Sequence, residues 1–434
     1  MKLNWFSPLP PSPTGIAEYT ATIVPWLSAH AAITLWTDQE TWDPAIEKYA
    51  AVRQYTATNL PWDELNAGNA VYHIGNNPDF HRTIWEVSQR HAGVVILHDL
   101  RLQDFFWSIF KWEPDTYIAL MQSTYGKPGA DAAVCALKNP EEELQTVCLR
   151  FPLAEAAIKD ALGVLVHTPG GFDLLSGKCH PPLGYLPFPY AAASESTLLA
   201  WEVRRNRPPK PPYQLVMMGY INPNRRLNSI LQALARMPDR DRFRLDVFGP
   251  VWGDEDVKKT IADLGLETIV TLRGYTSPSD LDQAIAGADL ALNLRFPTMG
   301  EASMSQLQVW DHRLPSMVTR TGWYGTLPEN SVLFVEPERE IEDLTRHLTA
   351  FANNPGAFTR LGENGRKVLF DQHAPEQYAS NLVDFLNSAV KYRPTAALIK
   401  ASGRVGTLMQ GWIRPLAAEH AGNRLAGILM EFLG

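Results

Sequence analysis

The sequence has little cysteine and no long hydrophobic run. Its three cysteines, Cys135, Cys148 and Cys179, show none of the paired spacings of zinc sites or disulfide frameworks. Apolar segments such as 93–97 and 162–166 are about five residues long, whereas a membrane-spanning helix needs about 20. No signal-peptide pattern follows Met1. These absences predict a cytoplasmic protein whose membrane contact, if any, is peripheral and on the inner face.

The sequence also lacks a basic excess and the common nucleotide-binding glycine motifs. With 39 Lys and Arg against 47 Asp and Glu, the formal net charge is -8, which argues against a nucleic-acid partner. No Gly-x-Gly-x-x-Gly occurs, which weighs against a dinucleotide oxidoreductase. No Gly-x-x-x-x-Gly-Lys-Ser/Thr occurs either, which weighs against a P-loop NTPase. What remains is the composition of a soluble globular protein long enough for two domains.

Short apolar runs alternate with longer helical patterns in both halves, which predicts an α/β fold with parallel sheets. The predicted strands are 3–6, 32–36, 70–74, 94–97, 164–166, 214–218, 244–248, 269–272, 290–294 and 316–319. The proline-rich segment 203–212 is predicted to link a domain at 1–202 to a domain at 213–376. Helices at 377–434 would follow, the first crossing back to the N-terminal domain. Ligands bind at the carboxyl ends of such strands, so two facing sheets would enclose a central cleft.

Segment 294–307 combines a strand end, a loop of small residues and a helix start. Gly300, Ala302, Ser303 and Ser305 allow backbone N–H groups to approach an anion, which the helix dipole also favours. Arg295 would add a cation with a planar fork suited to phosphate. The alternative is that a serine merely caps the helix.

A second cationic loop, Gly219 to Arg226, follows the first strand of the C-terminal half. Gly219 permits a tight strand exit, and Arg225 and Arg226 can neutralise a diphosphate at the carboxyl end of the sheet. A solvated basic turn is the alternative.

In the N-terminal half, polar residues follow three predicted strands. The helix that opens at Gly15 can present N–H groups to a ligand. Asn76 and Asn77 follow one strand, and His98 and Asp99 follow the next. Asn76, Asn77 and Asp99 are the candidate residues on the acceptor side, in a domain predicted to bind the acceptor. A lone histidine usually has a structural role, so His98 is a candidate site residue only because of its position at a strand end. His167 is a weaker candidate for the same reason.

The tail after about residue 394 carries Lys400, Arg404, Arg414 and Arg424, with apolar residues between 425 and 433 at helical spacing. One interpretation is a helix on an anionic membrane surface. A helix that packs on the protein or on a partner subunit is the favoured alternative.

Several of these segments together resemble the retaining family 4 glycosyltransferases of GT-B fold. The resemblance covers about residues 1–390. It is closest to a bacterial subgroup with a Leu-Arg-x-Pro-x-x-Gly-Glu segment. The residues that carry it are Pro8 to Pro11, Gly15 to Ala17, Gly75 to Asn77, Leu97 to Asp99, Val166 to Thr168, Gly219 to Arg226, Leu294 to Glu301, Gly322-Trp323 and Leu327-Pro328.

The resemblance implies two Rossmann-like domains that face a central cleft, with a C-terminal helical extension. It implies transfer of a sugar from a UDP-, GDP- or dTDP-linked donor to a glycan, lipid or protein acceptor, with retention and with no metal or other cofactor. Arg225 and Arg226 match the family's diphosphate-binding cation. Gly15 matches the glycine near the diphosphate, His98 the histidine near the transferred sugar, and Glu301 the residue that holds sugar hydroxyls.

The sequence departs from the family pattern at several positions. Gln308 stands where the family carries the glutamate that binds ribose, Tyr220 replaces an arginine, and Met304 replaces a glycine. These departures leave open a catalytically weak homologue that acts as a binding or scaffolding subunit of a glycosylation complex. A sugar epimerase of the same architecture is a more distant alternative.

Overall fold

A computed structural model describes residues 1–56, 58–205 and 209–410. It divides the chain into two compact units. Of the described residues, the N-terminal unit comprises those within 1–167, 171–186 and 378–410. The C-terminal unit comprises residues 168–170 and 187–377.

The N-terminal unit is built on a parallel sheet of seven strands in the order β3-β2-β1-β4-β5-β6-β7. The strands are β1 (Lys2–Phe6), β2 (Ala32–Thr37), β3 (Ala51–Gln54), β4 (Asn69–Ile74), β5 (Val94–Leu97), β6 (Gly163–Val166) and β7 (Leu183–Tyr185). Every residue of β5 and β6 is buried, as expected where both faces of a sheet are covered. The strand order reverses between β1 and β4, which is where ligands bind in such sheets.

Helices connect these strands. They are α1 (Gly15–Leu27), α2 (Trp62–Asn66), α3 (Pro78–Ser88), α4 (Gln103–Phe110), α5 (Pro114–Lys138), α6 (Pro140–Arg150), α7 (Ala154–Ala157) and α8 (Pro169–Leu175). The side chain of Thr14 caps α1 by accepting from the N–H of Ile16 at 3.3 Å. Helix α5 is interrupted at Gly126, whose φ of 68° is not helical.

The C-terminal unit has a six-stranded parallel sheet in the order β10-β9-β8-β11-β12-β13. The strands are β8 (Tyr213–Met218), β9 (Phe243–Phe248), β10 (Val270–Gly274), β11 (Leu290–Leu292), β12 (Ser316–Thr319) and β13 (Leu333–Val335). Its order reverses between β8 and β11, so this sheet repeats the topology of the first around its own switch point.

Several helices of this unit pack apolar side chains on the sheet. The helices of the unit are α9 (Glu195–Arg205), α10 (Leu227–Arg236), α11 (Asp254–Asp263), α12 (Pro278–Gly287), α13 (Met304–Asp311), α14 (Glu340–Asn353) and α15 (Thr359–Gln372), followed by α16 (Pro375–Gln410). Short 3-10 turns occur at Pro44–Lys48, Pro223–Arg225, Arg240–Arg242, Tyr324–Thr326, Pro337–Arg339 and Pro355–Phe358.

Helix α16 packs on the sheet of the N-terminal unit from Tyr378 onward. A Cβ atom at Gly163 of β6 would lie 2.8 Å from the Cβ of Ala389, and one at Gly184 of β7 would lie 2.8 Å from the Phe385 ring. The two strands therefore carry glycine where the helix comes closest.

The two parallel sheets confirm the predicted α/β architecture, and each predicted strand is present to within two residues. The edge strands β3, β7 and β13 were not predicted. β3 is largely exposed, and β7 and β13 have only three residues each, so none shows a buried apolar run.

The structure divides the chain at 186/187, earlier than the predicted linker at 203–212. Helix α9 belongs to the C-terminal unit because it packs on α12, and its Trp201 ring stacks on His312 with centroids 3.5 Å apart. Polar and proline-rich composition therefore marked the end of a packed helix instead of the point where the chain changes units.

Candidate functional site

The switch point of the C-terminal sheet is bordered by the loops after β8 and β11. Gly219 leaves β8 with a φ of 111°, which L side chains rarely adopt, and a Cβ there would collide with Nη2 of Arg225. Glycine at this position therefore lets the Arg225 guanidinium lie directly against the backbone at the strand end.

Asn293, directly after β11, connects the two loops. Its Oδ1 accepts from Nη1 of Arg225 at 2.9 Å, from Oγ of Ser305 at 3.2 Å and from the Tyr324 hydroxyl at 3.3 Å. The Tyr324 hydroxyl also donates to Oγ of Ser303 at 2.7 Å. These bonds fix the guanidinium beside the start of α13.

Arg225 is a buried cation that lacks a carboxylate partner. Its residue exposure is 6%, and within the described part of the chain no carboxylate lies at ion-pair distance from its guanidinium. Burial, and then the charge of Arg295, lower the pKa of Arg225 to about 10, so it is still charged at neutral pH. By contrast, the buried Arg366 is paired with Asp311. An unpaired buried charge is costly, which makes Arg225 a candidate anion-binding residue.

The loop between Arg295 and Glu301 holds a second charged group. Nη1 of Arg295 pairs with Oε1 of Glu301, and Oγ1 of Thr298 donates to the other carboxylate oxygen at 3.0 Å. Thr298 Oγ1 also accepts from the N–H of Gly300 at 3.0 Å. The Glu301 carboxylate is therefore held in one orientation within its own loop.

Helix α13 begins at the same place. Ser303 caps it, with Oγ accepting from the N–H of Gln306 at 3.2 Å. For the N–H groups of Ala302 and Ser303, the described residues supply no acceptor. The predicted cap is therefore present at Ser303, and the binding of an anion by the neighbouring N–H groups stays a prediction.

Two predicted donor-binding residues bind other protein groups. Arg226 has a φ of 63° and donates from Nε to both oxygens of Glu340, at 2.9 and 3.0 Å. Nε2 of Gln308 donates to Asp282 at 3.1 Å, and His312 lies 3.1 Å from the same oxygen. A role for Arg226 or Gln308 in donor binding therefore stays a prediction.

In the N-terminal unit, the predicted acceptor-side residues organise their own loops. The backbone N–H of Asn76 donates to Asp99 at 2.8 Å, and its side-chain Nδ2 donates to Asp104 at 2.9 Å. Asn77 caps α3 by accepting from the N–H of Asp79 at 2.9 Å. Gly15 is exposed, and a Cβ there would meet nothing within 4 Å. The start of α1 is thus open to an approaching ligand.

His98 belongs to a buried group that we name the histidine cluster: His73, His81, His98 and His167. Nε2 of His98 lies 2.9 Å from Nδ1 of His73. The Tyr19 ring contacts His73, His98 and His167, with centroids 5.0 to 5.6 Å apart. Burial lowers the pKa of all four imidazoles, to about 4 for His81 and His167. The cluster is therefore uncharged at neutral pH.

Sequence reasoning missed Asn293, Tyr324 and His73. Asn293 was counted within an apolar strand, although a polar residue in such a run is itself a signal. Tyr324 directly follows the Gly322-Trp323 pair, and His73 lies inside β4, where a buried polar residue calls for a partner.

A cavity of about 450 Å³ lies at the amino-terminal ends of β5 and β6, on the side of the N-terminal sheet away from the carboxyl ends of its strands. Ile158, Leu162 and Tyr392 line it, with Lys159 and Lys400 among its charged residues. None of the predicted site residues lines this cavity, so size alone does not identify the chemical site.

Three further observations concern the predictions about a metal, a membrane and the tail. Among the described residues, no cluster of His, Cys, Asp or Glu is arranged to hold a metal ion. No helix within that part of the chain is both long and apolar enough to cross a membrane. Of the predicted tail, α16 includes Lys400, which lies 3.7 Å from Asp160, whereas Arg414, Arg424 and residues 425–433 lie outside the described residues.

Comparisons with known proteins bear on this arrangement. Residues 201–368, less than half of the chain, match the family model described as Glycosyl transferases group 1. Curated protein sequences contain no match to this chain.

Solved structures match most of the chain. HepE from Anabaena, in complex with UDP and glucose, is 14% identical with a TM-score of 0.60 over 89% of this chain and 100% of its own. Sucrose-phosphate synthase from Thermosynechococcus elongatus is 13% identical with a TM-score of 0.61 over 90% and 99%. WaaG, a glycosyltransferase involved in lipopolysaccharide biosynthesis, is 14% identical with a TM-score of 0.56 over 87% and 98%.

The chain has the GT-B fold, and its residues 201–368 match a glycosyltransferase family model. The matched segment contains Arg225, Asn293, Arg295, Glu301 and the start of α13. The candidate anion site therefore lies within the segment that matches this family model.

Proposed function

We propose that this protein is a retaining, metal-independent family 4 glycosyltransferase that moves a sugar from a nucleotide-sugar to an acceptor. The observation that carries the proposal is the buried, carboxylate-free Arg225 at the switch point of the glycosyltransferase domain. A diphosphate would supply the negative charge that this site lacks. The assignment to family 4 rests on the sequence resemblance.

The chemistry follows from the charges of the site. The bond between the anomeric carbon and the diphosphate oxygen breaks while the acceptor oxygen bonds to the same face of the sugar. The diphosphate takes both the bonding electron pair and the acceptor proton. Arg225, Arg295 and the N–H groups at Ala302 and Ser303 stabilise the growing negative charge. These groups would do the work that a metal ion does in other transferases.

The loop from Gly219 to Arg226 offers further groups to a donor. The Oδ1 atoms of Asn222 and Asn224 are buried, and within the described residues neither has a hydrogen-bond partner. Each can accept from a hydroxyl of ribose or of the transferred sugar. In this proposal Glu301 and His98 bind sugar hydroxyls, and Gly15 lies near the diphosphate.

Exposed aromatic side chains follow four neighbouring strands of the same sheet and provide a surface for a nucleobase. This aromatic edge consists of Tyr275 after β10, Trp252 after β9, Tyr220 after β8 and Phe296 after β11, with exposures from 38% to 78%. Base stacking on an aromatic ring contributes about 1–3 kcal/mol. HepE binds UDP-glucose, which makes a uracil nucleotide the first donor to test.

We place the reaction in the cytoplasm, with an acceptor that belongs to bacterial glycan, glycolipid or glycoprotein assembly. The three cysteines are free thiols, which agrees with a reducing compartment. The resemblance to WaaG, named for lipopolysaccharide biosynthesis, favours a membrane-linked glycan as acceptor. Contact with the inner face of the membrane or with a partner subunit would then come from the tail.

Titration calorimetry in the presence of a chelator tests donor binding. We expect one nucleoside diphosphate among UDP, GDP and dTDP to bind. The corresponding monophosphate should bind at least about tenfold more weakly, because it lacks the second phosphate whose charge Arg225 would neutralise. Arg225→Met should abolish the difference between diphosphate and monophosphate. Arg236→Met, on the exposed part of α10, is the matched control and should keep it. Binding that requires a divalent cation would overturn metal independence.

A further inference from the structure

Asn293 is the residue that holds Arg225 at the end of the C-terminal sheet. Its backbone N–H donates to the carbonyl of Met317 at 2.9 Å, which continues the pairing of β11 with β12 beyond the last residue of β11. Asn293 is buried, and its Oδ1 accepts from Nη1 of Arg225 at 2.9 Å. A guanidinium has only donors, so the oxygen of the Asn293 amide must face it, and not the nitrogen.

Two further buried side chains fix that orientation from the other end of the amide. Nδ2 of Asn293 donates to Oε1 of Gln306 at 3.0 Å, and Nε2 of Gln306 donates to Oγ of Ser316 at 2.8 Å. Gln306 and Ser316 are fully buried. Turning the Asn293 amide over would place an N–H group against the guanidinium and an oxygen against Oε1 of Gln306. The acceptor is therefore held toward Arg225 by hydrogen bonds on both sides.

Asn293 holds the guanidinium without cancelling its charge, because an amide is neutral at every pH at which the protein folds. The Glu301 carboxylate, whose charge also acts on Arg225, is paired with Arg295. Arg225, Arg295 and Glu301 together therefore carry one excess positive charge. An aspartate in place of Asn293 would have almost the same shape and would remove that excess.

We propose that Asn293 is a positioning residue that fixes the Arg225 guanidinium through a neutral acceptor and thereby leaves its charge for an anionic ligand. This inference rests on the proposed function, in which that ligand is the diphosphate of the donor. The hydrogen bond to Asn293 sets the direction of the guanidinium. The neutrality of Asn293 makes the site selective for a ligand that brings negative charge of its own.

Asn293→Asp tests neutrality while it keeps the hydrogen bonds. The carboxylate oxygen that faces the guanidinium keeps the three donors of the amide oxygen, which are Arg225, Ser305 and Tyr324. The other oxygen gains a donor when the Gln306 amide turns over, because the Ser316 hydroxyl can donate as well as accept. The buried cation thus gains a counter-charge with every hydrogen bond retained. We therefore expect the urea midpoint of the ligand-free variant to be no lower than that of the wild type.

Calorimetry of the full chain with UDP, GDP and dTDP, their monophosphates and inorganic pyrophosphate measures the anion selectivity. In the wild type the preferred diphosphate should bind at least about tenfold more tightly than its monophosphate. In Asn293→Asp we expect this ratio to fall to about twofold or less and pyrophosphate binding to be lost, because the carboxylate pairs with Arg225. Asn353→Asp is the matched control. Asn353 is exposed at the end of α14 opposite Glu340, so this variant adds the same charge to the same unit and should keep the ratio.

The outcomes separate this inference from the proposed function. A purely structural role of Asn293 would be preserved by aspartate, so an unchanged ratio in Asn293→Asp would overturn the inference. A lower urea midpoint or a failure to fold would overturn it as well, because the carboxylate would then not pair with Arg225. An equal loss of selectivity in Asn353→Asp would assign the effect to net charge and refute a role of Asn293. A wild type that binds pyrophosphate but no nucleoside diphosphate would count against the proposed function alone, and pyrophosphate binding by Asn293→Asp would then decide the inference. A wild type that binds neither would overturn both.

Discussion

Replacing Arg225 with methionine should remove the preference for a diphosphate over a monophosphate and yet leave the ligand-free protein at least as stable as the wild type. Burial lowers the pKa of Arg225 from its usual range to about 10 in the folded protein. At about 1.4 kcal/mol per pKa unit, the charged form is penalised by about 3 kcal/mol. Because the folded-state pKa lies below the unfolded one, this penalty applies in full throughout the neutral range and is relieved only as the pH rises through about 10 and above.

The substitution also has a cost. Asn293 loses one donor but keeps Ser305 and Tyr324, so the lost hydrogen bond costs about 0.5–1.5 kcal/mol. Methionine fills the space of the arginine stem with a flexible apolar side chain. The net expectation is a gain of about 1.5–2.5 kcal/mol in the free energy of unfolding, from the penalty and cost just given.

Urea unfolding followed by a probe in the C-terminal unit measures this difference. Arg366→Met is the informative comparison, because Arg366 is equally buried but paired with Asp311. Breaking that pair leaves an uncompensated carboxylate and should cost about 3–5 kcal/mol. If Arg225→Met lost stability to the same extent as Arg366→Met, the claim that Arg225 lacks its natural anion in the free protein would be refuted.

Three further predictions concern other parts of the molecule. Gly219→Ala should abolish nucleotide binding and lower the free energy of unfolding by about 1–3 kcal/mol. The φ of Gly219 is strained for alanine, and the added Cβ would displace Arg225. Unchanged nucleotide binding in calorimetry would contradict this close packing. On acidification from pH 6.5 to 5.5, the four neutral imidazoles of the histidine cluster should each lose about 1 kcal/mol of stabilisation, about 4 kcal/mol in all, because the unfolded state takes up protons there and the folded state does not. A flat urea midpoint of the N-terminal unit over this range would refute burial of the cluster in neutral form. Tyr275→Ala should weaken UDP binding by about 1–3 kcal/mol because the base loses its stacking partner. Tyr49 is an exposed tyrosine of the N-terminal unit, and Tyr49→Ala should leave UDP binding unchanged. Equal affinities of the two variants for UDP would show that the aromatic edge is not part of the donor site.

The fold class could be predicted from the sequence because the central strands are buried on both faces and appear as largely apolar runs such as Val94–Leu97 and Tyr213–Met218. It also placed the loops after these strands. It did not distinguish Arg225 from its neighbour Arg226, since adjacent arginines have the same chemistry. The positive φ of Arg226 and the carboxylate of Glu340, which is 114 residues away, separate them.

Contacts between residues that are far apart in the sequence explain why the local sequence pattern did not predict Asn293, Tyr324 and His73. Asn293 bonds Arg225, 68 residues away, and Tyr324, 31 residues away. His73 meets His98 only because β4 and β5 are paired in register, which aligns His73 with Ile96 and Ile74 with Leu97. Such partners depend on strand order and register, which the composition of a single segment does not specify.

The most direct test of the central claim is sugar transfer itself, measured with UDP-glucose and a lipid-linked glycan acceptor in the presence of a chelator. The account predicts acceptor-dependent release of UDP and a product with the anomeric configuration of the donor, lost in Arg225→Met and kept in Arg236→Met. Turnover that requires a divalent cation, or a product of inverted configuration, would contradict it. So would turnover of undiminished rate in Arg225→Met.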